Sequence, residues 1–169
     1  MADTLGVDVS KWQVGVNDSY PYPVLCIRSN DGTHRDRRWV NNYGWCLRNA
    51  DSGRLTFFIV YFVWRPNWQQ EVDTAKVIGY GDAGDLNSVW PRKPPGVRLV
   101  VAAFGNNPPY PGKVAHQYTD GCGYGGGLTE GAPPFGRRDM NSADGLTAVE
   151  FARACGVTAT DSVPNEVVL

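Results

Sequence analysis

The 169-residue sequence predicts an incomplete, TIM-like (β/α) barrel of about seven parallel strands with flanking helices. Three observations lead there. Short apolar runs recur along the chain, separated by helix-capable or polar segments. The runs are continuously apolar instead of alternating, which marks strands covered on both faces, as parallel sheets are. Third, the chain is short for a closed eight-fold barrel, which takes about 250 residues and rarely fewer than about 200.

Each element follows from its pattern. "LGVDV" (5–9) and "VLCIR" (24–28) read as buried strands, and "TFFIVYFVW" (56–64) as a longer one. Between them, 38–51 sets Trp39, Tyr43, Cys46 and Leu47 at helical spacing, with Gly53 as the stop. Pro66-Asn67 opens a second helical patch through Lys76, followed by strand "VIGYG" (77–81). Strands at 97–104, 114–119 and 137–141 complete the set, and a last helical patch runs over 143–155 to Gly156. We read residues 1–156 as one domain and 157–169 as a C-terminal tail.

Composition narrows the function. A formal net charge of -1 and a pI near 6.1 give no basic field for nucleic acid. The densest basic run, Arg35-Asp36-Arg37-Arg38, contains its own acid and reads as a solvated loop. Cys26, Cys46, Cys122 and Cys155 show no metal-ligand spacing, so free, mostly buried thiols are expected, with no metal and no cofactor. The longest apolar run, 57–64, is too short to insert in a membrane. "MADTLGVDV" has neither the charged start nor the apolar stretch of a leader, so synthesis in the cytoplasm is expected. The glycine-rich "GCGYGGG" (121–127) lacks a P-loop lysine and reads as a flexible loop, not a phosphate cradle.

One detail stands out in the first strand, which ends its apolar run on Asp8. A carboxylate deep in a core costs several kcal/mol unless paired or hydrogen-bonded. At the mouth of a barrel it would face substrate; as a cap before Ser10 it would be structural.

An ordered set of segments resembles the family 25 glycoside hydrolases, the Chalaropsis-type lysozymes. "GVDVSKWQ" resembles their opening signature, and "IRSNDGTHRD" the stretch after the second strand. "VYFVWRP" resembles the third-strand motif, with Tyr61, Arg65 and Pro66 in register and Phe62 where histidine is usual. "AHQYTDG" resembles Trp-Gln-Tyr-Thr, with His116 for tryptophan, and "RRDMNSADG" resembles the last strand's Asp-x-Asn. "VIGYGDAGDLNSVWP" and "PGKVAHQYTDGCGYGGG" are similar to lysin A endolysins of mycobacteriophages.

The resemblance implies a phage muramidase cutting the β-1,4 bond between N-acetylmuramic acid and N-acetylglucosamine in host peptidoglycan. It implies Asp8 and Asp139 as catalytic carboxyls, with Tyr61, Tyr80, Gln117, Tyr118 and Asn141 binding substrate. Trp12 is a further aromatic for stacking on sugars. The implied protein is a monomer whose partner is the glycan strand, reaching the cell wall after release by a separate factor.

One part of the pattern is missing. The family's general acid is the glutamate of a fourth-strand Asp-x-Glu, and no Asp-x-Glu occurs in this sequence. "RPNWQQEVDTAKVIGYG" runs from the third-strand motif directly to the strand that should be fifth, as though one βα unit of about 30 residues were absent. Glu71, Asp73 and Glu130 are weak substitutes. Loss of a general acid commonly costs about 10²–10⁴-fold, so little or no turnover is expected. Asp8 is expected to stay ionised, and at least one of the Asp8–Asp139 pair to have a raised pKa. The alternatives are a non-catalytic peptidoglycan-binding or relic domain, and an internally deleted chain with a gap in its barrel.

Overall fold

The computed structural model describes residues 3–31, 34–63, 78–82, 84, 86 and 98–157. The predicted helical patch 66–76, with Glu71 and Asp73, lies outside the described residues, as does the tail beyond 157. In chain order the elements are β1 (Leu5–Val9), β2 (Val24–Asp31), β3 (His34–Arg35), α1 (Trp39–Asp51), β4 (Phe57–Val63) and β5 (Ile78–Asp82). They continue with β6 (Arg98–Ala102), β7 (Lys113–Thr119), β8 (Gly131–Ala132), β9 (Gly136–Arg137), β10 (Met140–Ser142) and α2 (Ala148–Ala154).

Seven strands form a curled sheet in the order β4-β2-β1-β10-β7-β6-β5, and the two-residue β3 folds back on the end of β2. The curl brings the two end strands together: β4 and β5 lie side by side, with the rings of Tyr61 and Tyr80 6.1 Å apart. No ladder joins β4 to β5 among the described residues. The sheet is a partial barrel with its seam where the sequence skips from third-strand to fifth-strand motif.

Strand direction departs from the expectation at one place. β1, β2 and β4 pair in parallel, as do β5, β6 and β7, but β10 runs antiparallel to both β1 and β7. A parallel return needs a crossover of a dozen or more residues, usually a helix. Residues 120–139 form turns and the β8–β9 hairpin instead, so the chain re-enters the sheet from the end at which β7 left it.

Alternation along the strands sorts side chains into an outer layer and a lumen. Val7, Val9, Leu25, Ile27, Tyr118 and Met140 belong to the outer cluster, which Trp45 and Cys46 of α1 cover. Val24, Cys26, Phe57, Ile59, Val100 and Ala115 fill the lumen. Phe151 of α2 joins them, its ring edge-on to Phe57 at 5.1 Å. The interior is therefore a packed core below the level of Asp8, not a pore.

The helices differ in detail from their sequence patterns. α1 buries Asn42, Trp45, Cys46 and Asn49, an i, i+3, i+4, i+7 stripe, while Trp39 and Tyr43 stack on each other at 4.7 Å along its edge. α2 begins five residues later than the helical patch read from 143, because Thr147 and Glu150 form a reciprocal capping box.

Candidate functional site

The same alternation that builds the core places the polar groups. On β1, Val7 and Val9 point outward, so Asp8 between them points into the lumen, where it is 9% exposed. The Tyr61 hydroxyl of β4 donates to its Oδ1 at 3.3 Å, and Gln117 Nε2 of β7 donates to Oδ2. Gln117 is held in turn by the Tyr80 hydroxyl of β5, which donates to its Oε1 at 2.6 Å. Four strands thus converge on one carboxyl. Asn141 of β10 is buried beside it and close enough to lower its pKa. Neither Asn141 Nδ2 nor Oδ1 has a hydrogen-bond partner among the described residues, so that amide is adjacent to Asp8 and not bonded to it.

Asp8 titrates abnormally. Burial, and then the charge of Asp139, push its pKa from 3.8 to about 7, and the hydrogen bonds only partly offset them. Asp139 sits half-buried just before β10, and its pKa is also raised, by burial first and then by Asp120, with Arg138 opposing. Repulsion between two carboxylates is mutual, so the upward direction belongs to the pair. The expectation that Asp8 stays ionised is overturned: among the described residues no cation pairs with it, and near neutral pH it is divided between its two forms. Burial also raises the phenols of Tyr61 and Tyr80, so both remain hydrogen-bond donors.

The rim above this floor is fixed by two other acids. Asp36, buried, pairs with buried Arg28 (Nε to Oδ2, 2.9 Å) and accepts the backbone N–H of Lys11 at 2.7 Å and of Arg38 at 2.9 Å. It ties the loop after β1 to β2 and to the start of α1. The arginine-rich run read as a solvated loop therefore contains a buried clamp. Glu130 accepts from the Thr119 hydroxyl and from the N–H groups of Gly123 and Gly125. These bonds lower its pKa, the Thr119 bond most, so Glu130 is not a proton donor at neutral pH. The glycine-rich segment read as flexible is wrapped round this carboxylate. A Cβ at residue 125 would collide with Glu130 Oε1 and sit 2.7 Å from the Leu128 carbonyl.

Of the residues named from sequence, Asp8, Tyr61, Tyr80, Gln117 and Asn141 come together, with Asp139 at their edge. Tyr118 does not join them: it faces the outer layer, its hydroxyl donating to the Thr129 carbonyl at 2.6 Å. Trp12 is 72% exposed beyond the groove floor, with the Lys11 ammonium 4.9 Å from its ring centroid. His116 also faces outward, and its Nε2 bonds the Ala103 carbonyl at 2.7 Å. The Arg28–Asp36 clamp was missed; its signal was an arginine inside an apolar strand followed eight residues later by an acid. Among the described residues, no cluster of three or more His, Cys, Asp or Glu side chains is placed to hold a metal ion.

No known family's sequence profile matches the chain. It is 44% identical to the uncharacterized protein Rv3766 of Mycobacterium tuberculosis (strain ATCC 25618 / H37Rv), over 209 aligned positions spanning 95% of this chain and 76% of the relative. The chain belongs to the Rv3766 family. Since 95% of 169 residues is about 161, about 48 aligned positions hold residues in Rv3766 that this chain lacks. In three dimensions this Rv3766 relative resembles phage endolysins. The CTP1L endolysin superposes with a TM-score of 0.54 at 13% identity, covering 90% of this chain and 70% of that one. The catalytic domain of endolysin ply40 from bacteriophage P40 of Listeria monocytogenes gives 0.52 at 16% identity, covering 92% and 98%. At these identities the likeness is one of fold. No helix among the described residues is long and apolar enough to cross a membrane.

Proposed function

We propose that the chain is a muramidase-type domain of a phage endolysin, of the family 25 glycoside hydrolase and lysin A kind. Its groove takes a peptidoglycan strand across the β-1,4 bond between N-acetylmuramic acid and N-acetylglucosamine. As it stands, the chain binds that strand with little or no turnover. One observation carries the reading: a buried carboxyl, Asp8, at the mouth of a curled, mostly parallel sheet, held by two phenol hydroxyls and an amide from three other strands, directly or through that amide. The endolysin-like fold supports it, and the aligned positions that Rv3766 has in excess support the absence of a βα unit.

In this reading Asp8 and Asp139 supply negative charge beneath the sugar, where positive charge develops at the anomeric carbon. Tyr61, Tyr80, Gln117 and Asn141 bind the acetamido and hydroxyl groups. The leaving-group acid is what the chain lacks: Glu130 is ionised and committed to its loop, and no Asp-x-Glu is present. The domain acts as a monomer on the cell wall, after synthesis in the host cytoplasm and release by a separate factor. The test is turnover and retention of purified mycobacterial peptidoglycan by this chain and by a version carrying the additional Rv3766 segment. Retention by both, with turnover only by the longer version, is expected. Failure of this chain to retain peptidoglycan would reject the reading.

A second reading, slow hydrolysis with Asp8 itself as proton donor, is favoured by its pKa of about 7. It requires turnover that falls above pH 7 and vanishes in Asp8→Asn.

A further inference from the structure

The two faces of β7 and β10 carry different chemistry. Gln117 and Asn141 face Asp8; their neighbours His116, Tyr118 and Ser142 face outward and line a separate cleft of about 600 Å³. That volume is in the range of small-molecule sites, about 300–1,000 Å³. One wall is the glycine-rich loop that Glu130 holds in place, carrying Tyr124; the other is the turn after β6. The Tyr124 ring stacks beside Phe104 at 5.8 Å and 24°, with the two residues 51% and 38% exposed. Such exposure of a near-parallel aromatic pair costs free energy in water and suits a flat, partly apolar face.

The polar floor is equally ordered. Asp3 accepts the Ser142 hydroxyl and the Gly145 N–H, the latter at 2.9 Å. Asp144 accepts from Asn107 Nδ2 at 2.8 Å and pairs with Lys113 Nζ at 3.0 Å. Each carboxylate oxygen retains a lone pair for one more donor. Among the described residues lining the cleft there are two aspartates and no lysine or arginine, and the nearby Lys113 ammonium is taken up by Asp144 and Asn107. An anionic ligand is therefore disfavoured, and a neutral molecule with several hydroxyl or amide N–H donors and one apolar face is favoured. A pyranose with an acetamido group has that chemistry.

We propose that this outer cleft is a second saccharide-binding site, independent of the Asp8 groove, that docks an N-acetylated sugar on the Tyr124 ring, which Phe104 stacks beside, with Asp3 and Asp144 as acceptors. The ligand class rests on the glycan reading above; the location rests on the cleft alone. A second foothold on the same polymer raises effective concentration at the groove without new contacts there.

The test is a backbone-amide NMR titration of the whole chain with tri-N-acetylchitotriose, repeated on Tyr124→Ala and on Asp8→Asn. Two groups of shifts are expected, one around 105–107, 124–126 and 145, the other around Asp8 and Gln117. In Tyr124→Ala the outer group should weaken about tenfold while the inner one is unchanged; Asp8→Asn should leave the outer group intact. Inner shifts without outer ones, or outer shifts that survive Tyr124→Ala unchanged, overturn the second site alone. Outer shifts without inner ones overturn the groove reading, and silence at both overturns both.

Discussion

The groove floor and the rim around it are both organised by carboxylates, and they use them in opposite ways. At the rim, Asp36 meets a buried arginine and two backbone N–H groups, and Glu130 meets a hydroxyl and two more N–H groups. Each is an anion among donors, positioning a loop. On the floor, Asp8 is also buried, but among the described residues no cation pairs with it, and the charge that acts on it is that of another acid. Hydrogen bonds from Tyr61 and Gln117 compensate Asp8 only in part, and a carboxyl so perturbed in a cleft is a candidate for function. The difference separates acids that shape the groove from the acid the groove presents.

The comparison makes opposite signs for two conservative substitutions. Asp36→Asn leaves Arg28 buried without its counter-charge, which typically costs about 3–5 kcal/mol. The low end is expected here, since Asp31 remains 4.0 Å from the guanidinium. Chemical denaturation should show this as a lower midpoint with an unchanged slope. A loss below about 1 kcal/mol would mean that the clamp is ornamental and the contrast with Asp8 false.

Asp8→Asn should stabilise the chain while weakening the groove. The folded-state pKa of Asp8 is above its unfolded value, so the folded state binds more protons between pH 3.8 and about 7. Stability is therefore undiminished below that window and declines as pH rises through it. Removing the charge should add about 3 kcal/mol at pH 8, the roughly 4 kcal/mol of a shift from 3.8 to about 7 less about 1 kcal/mol lost with a carboxylate hydrogen bond, and should change stability by less than about 1 kcal/mol at pH 4. Unfolding curves at the two pH values decide it. A variant no more stable at pH 8 than the parent would show that Asp8 is solvated and ordinary.

How much of this was legible in the sequence follows from what each feature depends on. The apolar runs gave the strands because burial on both faces leaves its mark in composition, residue by residue. The direction of β10 left no such mark: "MNS" reads alike either way, and only the lack of a crossover helix over 120–139 decides it. Asp8 stood out because an acid interrupting an apolar strand is costly. Its partners did not, since Tyr61 and Gln117 are 53 and 109 residues away and meet it only when the sheet curls. Glu130 was misread for the complementary reason. Seven residues rich in glycine look flexible until the anion that gathers their N–H groups is seen.

The smallest expected effect sharpens that last point. Glu130→Gln keeps the shape of the side chain but replaces one acceptor oxygen with a donor, which then confronts either the Thr119 hydroxyl or the Gly125 N–H. Because Glu130 is only partly buried and its bonds are confined to one surface loop, overall stability should hardly change. The loop should open instead: hydrogen exchange at Gly123 and Gly125 should accelerate while exchange in β6 and β7 stays slow. The parent should do the same in acid. Its Glu130 pKa is lowered from 4.5, so the ordering is complete above that pH and is lost as pH falls through the lower folded value. If Tyr124 stays ordered in Glu130→Gln, the glycine-rich loop is held by its own turns, and the carboxylate at the rim does no more shaping than the one on the floor.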